Sequence, residues 1–367
     1  MKFTIDKTEA SRVLGIMKSA ISPRPHFPIL ACVLVEASQE DQQVTFTGSD
    51  LSLFAVVKAE ASVSKGGKVA IPANLLFSIV AKQDEEEIRI ECNPDSHKIS
   101  ILGTGRYDIS GLEPSDYPLI PSIPSQYVEL DPSQLKWGIE TTEKFASTDE
   151  TQQVLTGVRI SSDLGKLEFA ATDGHRLAVE NVNGDHLTFG GVTVPRNGLS
   201  LVKKILSDDP VKLFYDEDQI IFVTNEASVT VRALNGAYPP YRSLIPVSFA
   251  IEAVLNTKQF LSAVERVCIF SPESIVTLAL HRHCVAISSH VKEIGESQEK
   301  INLMNPIKLE NESIEVSFKA KYLIEALKTI DTTEFKLLLN LPSTPVLLKP
   351  LGMRNQTFLI MPITNIK

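Results

Sequence analysis

Residues 171–180 read ATDGHRLAVE, with Asp173, His175 and Arg176 gathered around Gly174 at the end of a strand-like run. An aspartate and a histidine two residues apart are the material of an acid–base pair, with the arginine holding an anion. The same four residues suit a turn that presents side chains to a partner. The acid–base reading requires a third, orienting group, and no such group is evident. Nor does a GxSxG elbow, a P-loop, a GxGxxG or an HExxH accompany it.

The surroundings of that turn are set by the whole chain. Its 367 residues exceed one ordinary core, so two or three domains are expected. A composition of 43% hydrophobic and 22% charged residues describes a soluble globular protein. No stretch reaches the roughly 18–20 apolar residues that span a bilayer, and the opening MKFTIDKTEA has no apolar signal region. A cytoplasmic protein with no membrane partner is expected. Cys32, Cys92, Cys268 and Cys284 lack CxxC spacing, which fits buried thiols and predicts no metal and no disulfide framework. His281, His283 and Cys284 lie close together, but their alternation places them on strand faces. A net charge of −9 argues against a surface coated in basic residues and leaves open positive charge confined to one face.

The chain is written three times. FTIDKTEASRVLGIMKSA, VELDPSQLKWGIETTEKFA and AVLNTKQFLSAVERVCIF each read as a short strand followed by a capped helix. The caps Asp6, Asp131 and Asn256 are spaced by 131 − 6 = 125 and 256 − 131 = 125 residues. Glu9 completes a capping box in the first helix, and Pro132 occupies the first helical position of the second. Apolar stripes follow: Ala10, Val13, Leu14 and Met17; then Leu135, Ile139, Thr142 and Ala146; then Phe260, Leu261, Val264, Val267 and Cys268. A second helix recurs in VAIPANLLFSIV, VTVPRNGLSLVKKIL and VSFKAKYLIEALKTI, with Pro72, Pro195 and Lys319 in equivalent places. Alternating β-branched runs such as QVTFTGS, KLEFAAT and CVAISS read as antiparallel hairpins. The fold class is therefore α+β: three tandem copies of one domain, two helices against antiparallel sheets in each, at 1–124, 125–250 and 251–367.

Copies of one domain expose equivalent faces. Lys7 and Lys18, Lys136 and Lys144, and Lys258 and Arg266 fall on the open sides of the first helices. Arg196, Lys203 and Lys204, then Lys319 and Lys321, do the same on the second helices. Each helix alone reads as an ordinary solvated face. On one surface, the charges sum to a potential that attracts phosphate backbones without reading bases.

The whole chain resembles the bacterial replicative sliding clamp, the beta subunit of DNA polymerase III. The residues that carry this are MKFT at the start, RPHFPIL, LTGVRI, TDGHRLAV at 172–179, YPPYRSLIP at 238–246 and IMPI at 360–363. The resemblance implies a head-to-tail homodimer that closes a six-domain ring around duplex DNA, helices lining the hole and sheets outside. It implies a processivity factor without catalysis or cofactor, which tethers the polymerase III catalytic subunit, the clamp loader, other polymerases and repair proteins. It also answers for the turn, as one wall of the pocket that takes the short linear motifs of those clients. Carried over, the pocket comprises Leu155, Thr172, Gly174, His175, Arg176, Leu177, Pro239, Leu244, Tyr322, Ile360, Met361 and Pro362. Ser243, Lys319, Ser343 and Pro345 depart from residues found in some relatives, and the tail Thr364–Lys367 runs past the pocket. Arg24 falls in a loop that touches DNA in the family, as does STDETQQV at 147–154. Tyr107 and Ile109 of one subunit are expected to meet Ile269 and Phe270 of the other. A repeat-built scaffold that binds protein alone, and an enzyme using Asp173 and His175, are the competing readings.

Overall fold

The structure, a computed structural model, describes residues 1–22, 24–163, 165–183, 190–216, 218–270 and 275–363; Thr364–Lys367 lie outside the described residues. Six helices stand where the repeat predicts them: α1 (Lys7–Ala20), α2 (Ala73–Ala81), α3 (Pro132–Thr142), α4 (Arg196–Ile205), α5 (Thr257–Val267) and α6 (Ala320–Thr329). Pro72, Pro195 and Lys319 are the cap residues of α2, α4 and α6. The predicted caps of the first helices form as well. Asp6 accepts from Glu9 N, Asp131 from Ser133 N and Gln134 N, and Asn256 from Gln259 N, at 2.9–3.1 Å. Glu9 does not complete a capping box. Both of its oxygens are taken by the Arg12 guanidinium, at 2.7 and 2.8 Å, because an arginine three residues on competes for the same carboxylate.

The apolar stripes are buried as expected, with one change. Leu261 is only half-buried, and Ala263 takes its place in the core. Three of the four cysteines are buried and all four are free thiols. Burial pushes the Cys32 thiol up to about 11.

A bond from the Ser133 hydroxyl, then one from Gln134 N, holds the Asp131 carboxyl below its usual range. Its folded value being depressed, the stability it contributes is present above the ordinary carboxylate pKa of about 4 and is lost as pH falls through the lower folded value. Asp131→Ala is expected to cost about 1 kcal/mol at neutral pH. Urea unfolding followed by the fluorescence of Trp137, the chain's one tryptophan, measures this; the gap between variant and parent should close on acidification.

The backbone contacts divide the chain into two compact units, one of residues 1–136 with 194–234 and the other of 137–193 with 235–367. Each unit mixes copies because strands of neighbouring copies share a sheet. In the first unit an eight-stranded antiparallel sheet runs Val128–Leu130, Val211–Tyr215, Gln219–Val223, Ala227–Arg232, Leu53–Glu60, Gln43–Ser49, Cys32–Ser38, Gly67–Pro72. The seam is the pairing of Ala227–Arg232 with Leu53–Glu60, where Val229 faces Ala55 and Val231 faces Leu53. The matching sheet, shared by the second and third copies, orders Val192–Pro195, Gly157–Asp163, Lys166–Thr172, Arg176–Asn183, Asn355–Ile360, Val346–Pro350, Glu334–Leu339, Ile251–Asn256. Its seam joins Arg176–Asn183 to Asn355–Ile360. The seams are equivalent to the atom: Arg232 N donates to Ser52 O, and Met361 N to His175 O, each at 2.8 Å.

Two smaller sheets remain. One orders Ser62–Lys65, Lys2–Asp6, Glu87–Cys92, Lys98–Leu102, Arg106–Ser110; the other orders Gly295–Asn302, Cys284–Val291, Ile275–His281, Ser313–Lys319. Both are open at the strand that, in the eight-stranded sheets, would carry a seam. Among the helices, α1 packs beside α2 and α4 in the first unit, and α5 beside α6 in the second. Five of the helices are thus packed beside another within one unit, while α3 lies across the limit between residues 136 and 137.

Candidate peptide-binding cleft

The turn at Thr172–Arg176 is built by its own side chains. Asp173 Oδ1 accepts from His175 N at 3.0 Å and Arg176 N at 3.1 Å, and Oδ2 accepts from Arg176 Nε at 2.9 Å. Thr172 Oγ1 donates to Arg176 O at 2.6 Å and accepts from Gly174 N at 3.0 Å. Gly174 has φ +86°, and open space surrounds the position of an added Cβ, so the glycine is there for its left-handed backbone. With its oxygens committed to the turn, Asp173 orients Arg176 and not His175. The histidine ring instead stacks on Tyr322, centroids 6.2 Å apart and planes 19° apart. An acid–base pair is not assembled.

Arg176 is buried, although the residue type suits an exposed rim. Its guanidinium binds Asp173, Glu325 of α6 and, at 2.9 Å, the carbonyl of Lys144. It lies 4.9 Å from the Phe145 ring centroid and 4.7 Å from that of Tyr322. One side chain thereby ties the turn of the second copy to a helix of the third.

Beside this anchor is an apolar floor. Leu177 is buried with Ala170, Val179, Tyr241, Leu338, Leu347 and Leu359, and Leu155 and Ile360 are buried too. Met361 and Leu244 are exposed above it, at 38% and 57%, which leaves apolar surface for another molecule to cover. Pro239, Tyr322 and Pro362 are half-buried. His175 and Gly174 form the open polar edge. Of the departures, Ser243 is turned to Pro240 O at 2.7 Å and Lys319 Nζ stands 5.4 Å from the Tyr322 centroid; Ser343 is exposed and Pro345 half-buried.

Several supporting residues escaped sequence reasoning. Tyr238 accepts from Thr172 N at 3.1 Å. Tyr241 donates its hydroxyl to Glu168 at 2.5 Å, and Arg242 binds the same oxygen at 2.8 Å. Burial first, then this carboxylate, raises the Tyr241 hydroxyl above its ordinary pKa. The signal was present in YPPYR, whose two tyrosines flank the prolines. A second network, buried at Glu180 and Thr141 and open at Asp331, joins Arg354 to the first two at 2.8 Å each and to the third at 2.7 Å. It had no local signature.

The cationic residues fare unevenly. Arg24, Lys18, Lys136, Lys144, Arg196, Lys204, Lys258, Lys319 and Lys321 are exposed and Lys203 is half-buried. Lys7 is half-buried with its ammonium on Gln83 O, and Arg266 is held by both Glu299 oxygens at 2.7 and 2.8 Å. Arg266 is thereby neutralised, whereas Lys7 keeps its charge but is held back against its own chain. Lys204 also reaches Ser19 Oγ at 2.6 Å. Tyr107, Ile269 and Phe270 are exposed at 40%, 74% and 41%, and Ile109 is half-buried on the same strand as Tyr107.

Profiles of the N-terminal, central and C-terminal domains of the DNA polymerase III beta subunit match residues 1–121, 129–240 and 242–364. The chain is 34% identical to the beta sliding clamp of Synechococcus elongatus and 32% identical to that of Synechocystis, covering 99% of each chain in both cases. Among solved structures it superposes on the DNA polymerase sliding clamp of Bacillus subtilis with a TM-score of 0.92 at 29% identity. That match covers 100% of this chain and 99% of the other.

Proposed function

This chain belongs to the DNA polymerase III beta-subunit family and serves DNA replication as a processivity factor without catalysis of its own; we propose that it does so as a two-chain ring that encircles duplex DNA and captures clients in the cleft beside Leu177 and Met361. The pair of unmatched sheet edges carries this reading. Arg106–Ser110 of the first copy corresponds to Ala227–Arg232, which is paired at a seam. Gly295–Asn302 of the third copy corresponds to Leu53–Glu60, the other side of that seam. Each chain thus ends in two complementary open edges, and two chains joined head to tail satisfy both. Tyr107 and Ile109 occupy the places of Val229 and Val231, which are fully buried at the seam, so their exposure supports a partner strand. We take copies at 1–124, 125–250 and 251–367 as the domains of this ring; the third profile begins at residue 242, nine residues ahead of the last limit. The mass in sedimentation is expected near twice 40.4 kDa; a single-chain mass at micromolar concentration would exclude the ring.

The helices, with Arg24, Lys18, Lys136, Lys144, Arg196, Lys203, Lys204, Lys258, Lys319 and Lys321, face the duplex, while Lys7 and Arg266 are engaged in their own chain. Contact is electrostatic and sequence-independent, so binding falls as salt rises. Processivity comes from topology, and tight phosphate contacts would impede sliding. Among the described residues no helix is long and apolar enough to cross a membrane.

The cleft takes the short linear motifs of the polymerase III catalytic subunit, the clamp loader, other polymerases and repair proteins. Met361→Ala with Leu177→Ala is expected to cost a client peptide about 2–3 kcal/mol through lost apolar burial. Leu177 is a core residue, so Met361→Ala alone, at an exposed position, checks that the loss is not one of folding. Peptide affinity unchanged in both variants, read by fluorescence anisotropy, would remove the assignment.

A further inference from the structure

Glu168 is a carboxylate only 8% exposed, on the strand Lys166–Thr172 that also carries Ala170 of the cleft floor. Its Oε1 accepts from the Tyr241 hydroxyl at 2.5 Å and from Nε and Nη2 of Arg242 at 3.0 and 2.8 Å. These donors come from one short turn, Tyr241–Leu244, in which Tyr241 is the buried residue. The backbone bonds of that stretch run from Tyr241 N to Pro239 O, Ser243 N to Pro240 O and Ile245 N to Arg242 O, and so close on the stretch itself. Side chains fix it to the sheet: the Tyr241 ring packs with Leu177, and the hydroxyl and guanidinium meet the carboxylate. A charge taken from water is costly unless such donors reach it.

The other copies serve as controls. Matching hairpins pair Phe46 with Val35, Phe169 with Ile160 and Ile287 with Leu278, so Thr45 and Ala286 stand where Glu168 does. The linker changes with the carboxylate. After the first copy Tyr117-Pro118 runs straight into Leu119-Ile120-Pro121, whereas residues 240–243, PYRS, separate Tyr238-Pro239 from Leu244-Ile245-Pro246. The second copy thus has the carboxylate and its two donors together, and the first copy has none of the three. Without such an anchor Leu119 is 93% exposed. Leu244, three residues past Tyr241, is 57% exposed, and Ile245 packs against the floor.

We infer that Glu168 is a positioning residue of the client cleft: through Tyr241 and Arg242 it sets how closely Leu244 stands over the floor around Leu177, and so the grip on an apolar client side chain. Deprived of the carboxylate, the turn keeps its internal bonds and swings as a body, carrying Leu244 away from the floor. This role rests on the client reading of the same cleft, and its test separates the two.

Full-length variants are immobilised and the DNA polymerase III catalytic subunit is passed over them in surface plasmon resonance. Leu244→Ala is expected to weaken binding about fivefold, and Glu168→Thr, which installs the first copy's residue, about tenfold. The double variant should be no weaker than about tenfold, because both changes remove one contact, against about fiftyfold for independent losses. A merely structural carboxylate would lower the urea midpoint without coupling to Leu244. Glu168→Gln keeps an acceptor oxygen for the tyrosine and should recover most of the affinity. Binding unchanged in Glu168→Thr, or losses that multiply in the double variant, would overturn the role, while a loss in Leu244→Ala leaves the client reading standing. If neither Leu244→Ala nor Met361→Ala weakens binding, the client reading falls and this role with it.

Discussion

Arg176→Ala is expected to lower the unfolding free energy of the unit that contains it by about 3–5 kcal/mol. The side chain is 7% exposed, and its carboxylate partners Asp173 and Glu325 are 15% and 30% exposed. Removing the cation leaves two like charges close together with no counter-charge, in a place water reaches poorly. The carbonyl of Lys144 loses its donor and the rings of Phe145 and Tyr322 lose the group between them. Arg176→Lys should recover only part of the loss, because an ammonium cannot serve three acceptors in a planar fork while lying between two rings. Urea unfolding read from Trp137 measures both variants. A loss under about 1 kcal/mol for alanine would mean that solvent screens these charges as on an open surface. A client peptide should also bind the alanine variant more weakly, since His175 and Tyr322 would no longer be held in register.

The second large effect concerns closure. Ile269→Asp with Phe270→Asp places two charges on residues now 74% and 41% exposed. In a head-to-tail ring those charges would replace apolar side chains against the edge bearing Tyr107 and Ile109, whose strand's cation, Arg106, is already paired with Asp108. The variant is expected to sediment as one chain of 40.4 kDa and to lose retention on circular DNA after loading. The parent should stay on nicked circles and escape when they are cut to linear form. Equal retention on circles and linear molecules would leave ordinary affinity as the explanation and end the topological account. Folding of the variant should be intact, since both residues lie outside the core.

The repeat made most of the fold legible before any coordinates. Caps at Asp6, Asp131 and Asn256 are local chemistry: a short acceptor side chain before an amphipathic run, and each forms its bond. Alternating runs such as QVTFTGS and KLEFAAT became strands for the same local reason. What sequence reasoning could not reach was pairing across copies. Whether Ala227–Arg232 meets Leu53–Glu60 depends on residues more than a hundred positions apart, and no periodicity within either strand encodes the choice. The Glu9 capping box failed on a competition three residues away that the motif rule ignores. At the cleft, TDGHRLA announced a special turn, because glycine flanked by Asp and His is ill-suited to a strand. That Arg176 would point inward was not readable, since its partners Glu325 and Phe145 come from other elements. The Arg354–Glu180–Thr141 network was hidden in the same way: three unremarkable residues on a loop, a strand and a helix far apart in the chain.

The shared sheets also govern how this molecule can be cut. A fragment that ends with the second repeat deprives Arg176–Asn183 of Asn355–Ile360 and bares a long strand of mostly buried residues, half of them apolar. Such an edge recruits other chains, so single repeats expressed alone should precipitate. Soluble sub-fragments, if any are to be made, must follow the interrupted units, which means splicing residues 1–136 to 194–234 and discarding the tidy repeat boundaries that the sequence advertises.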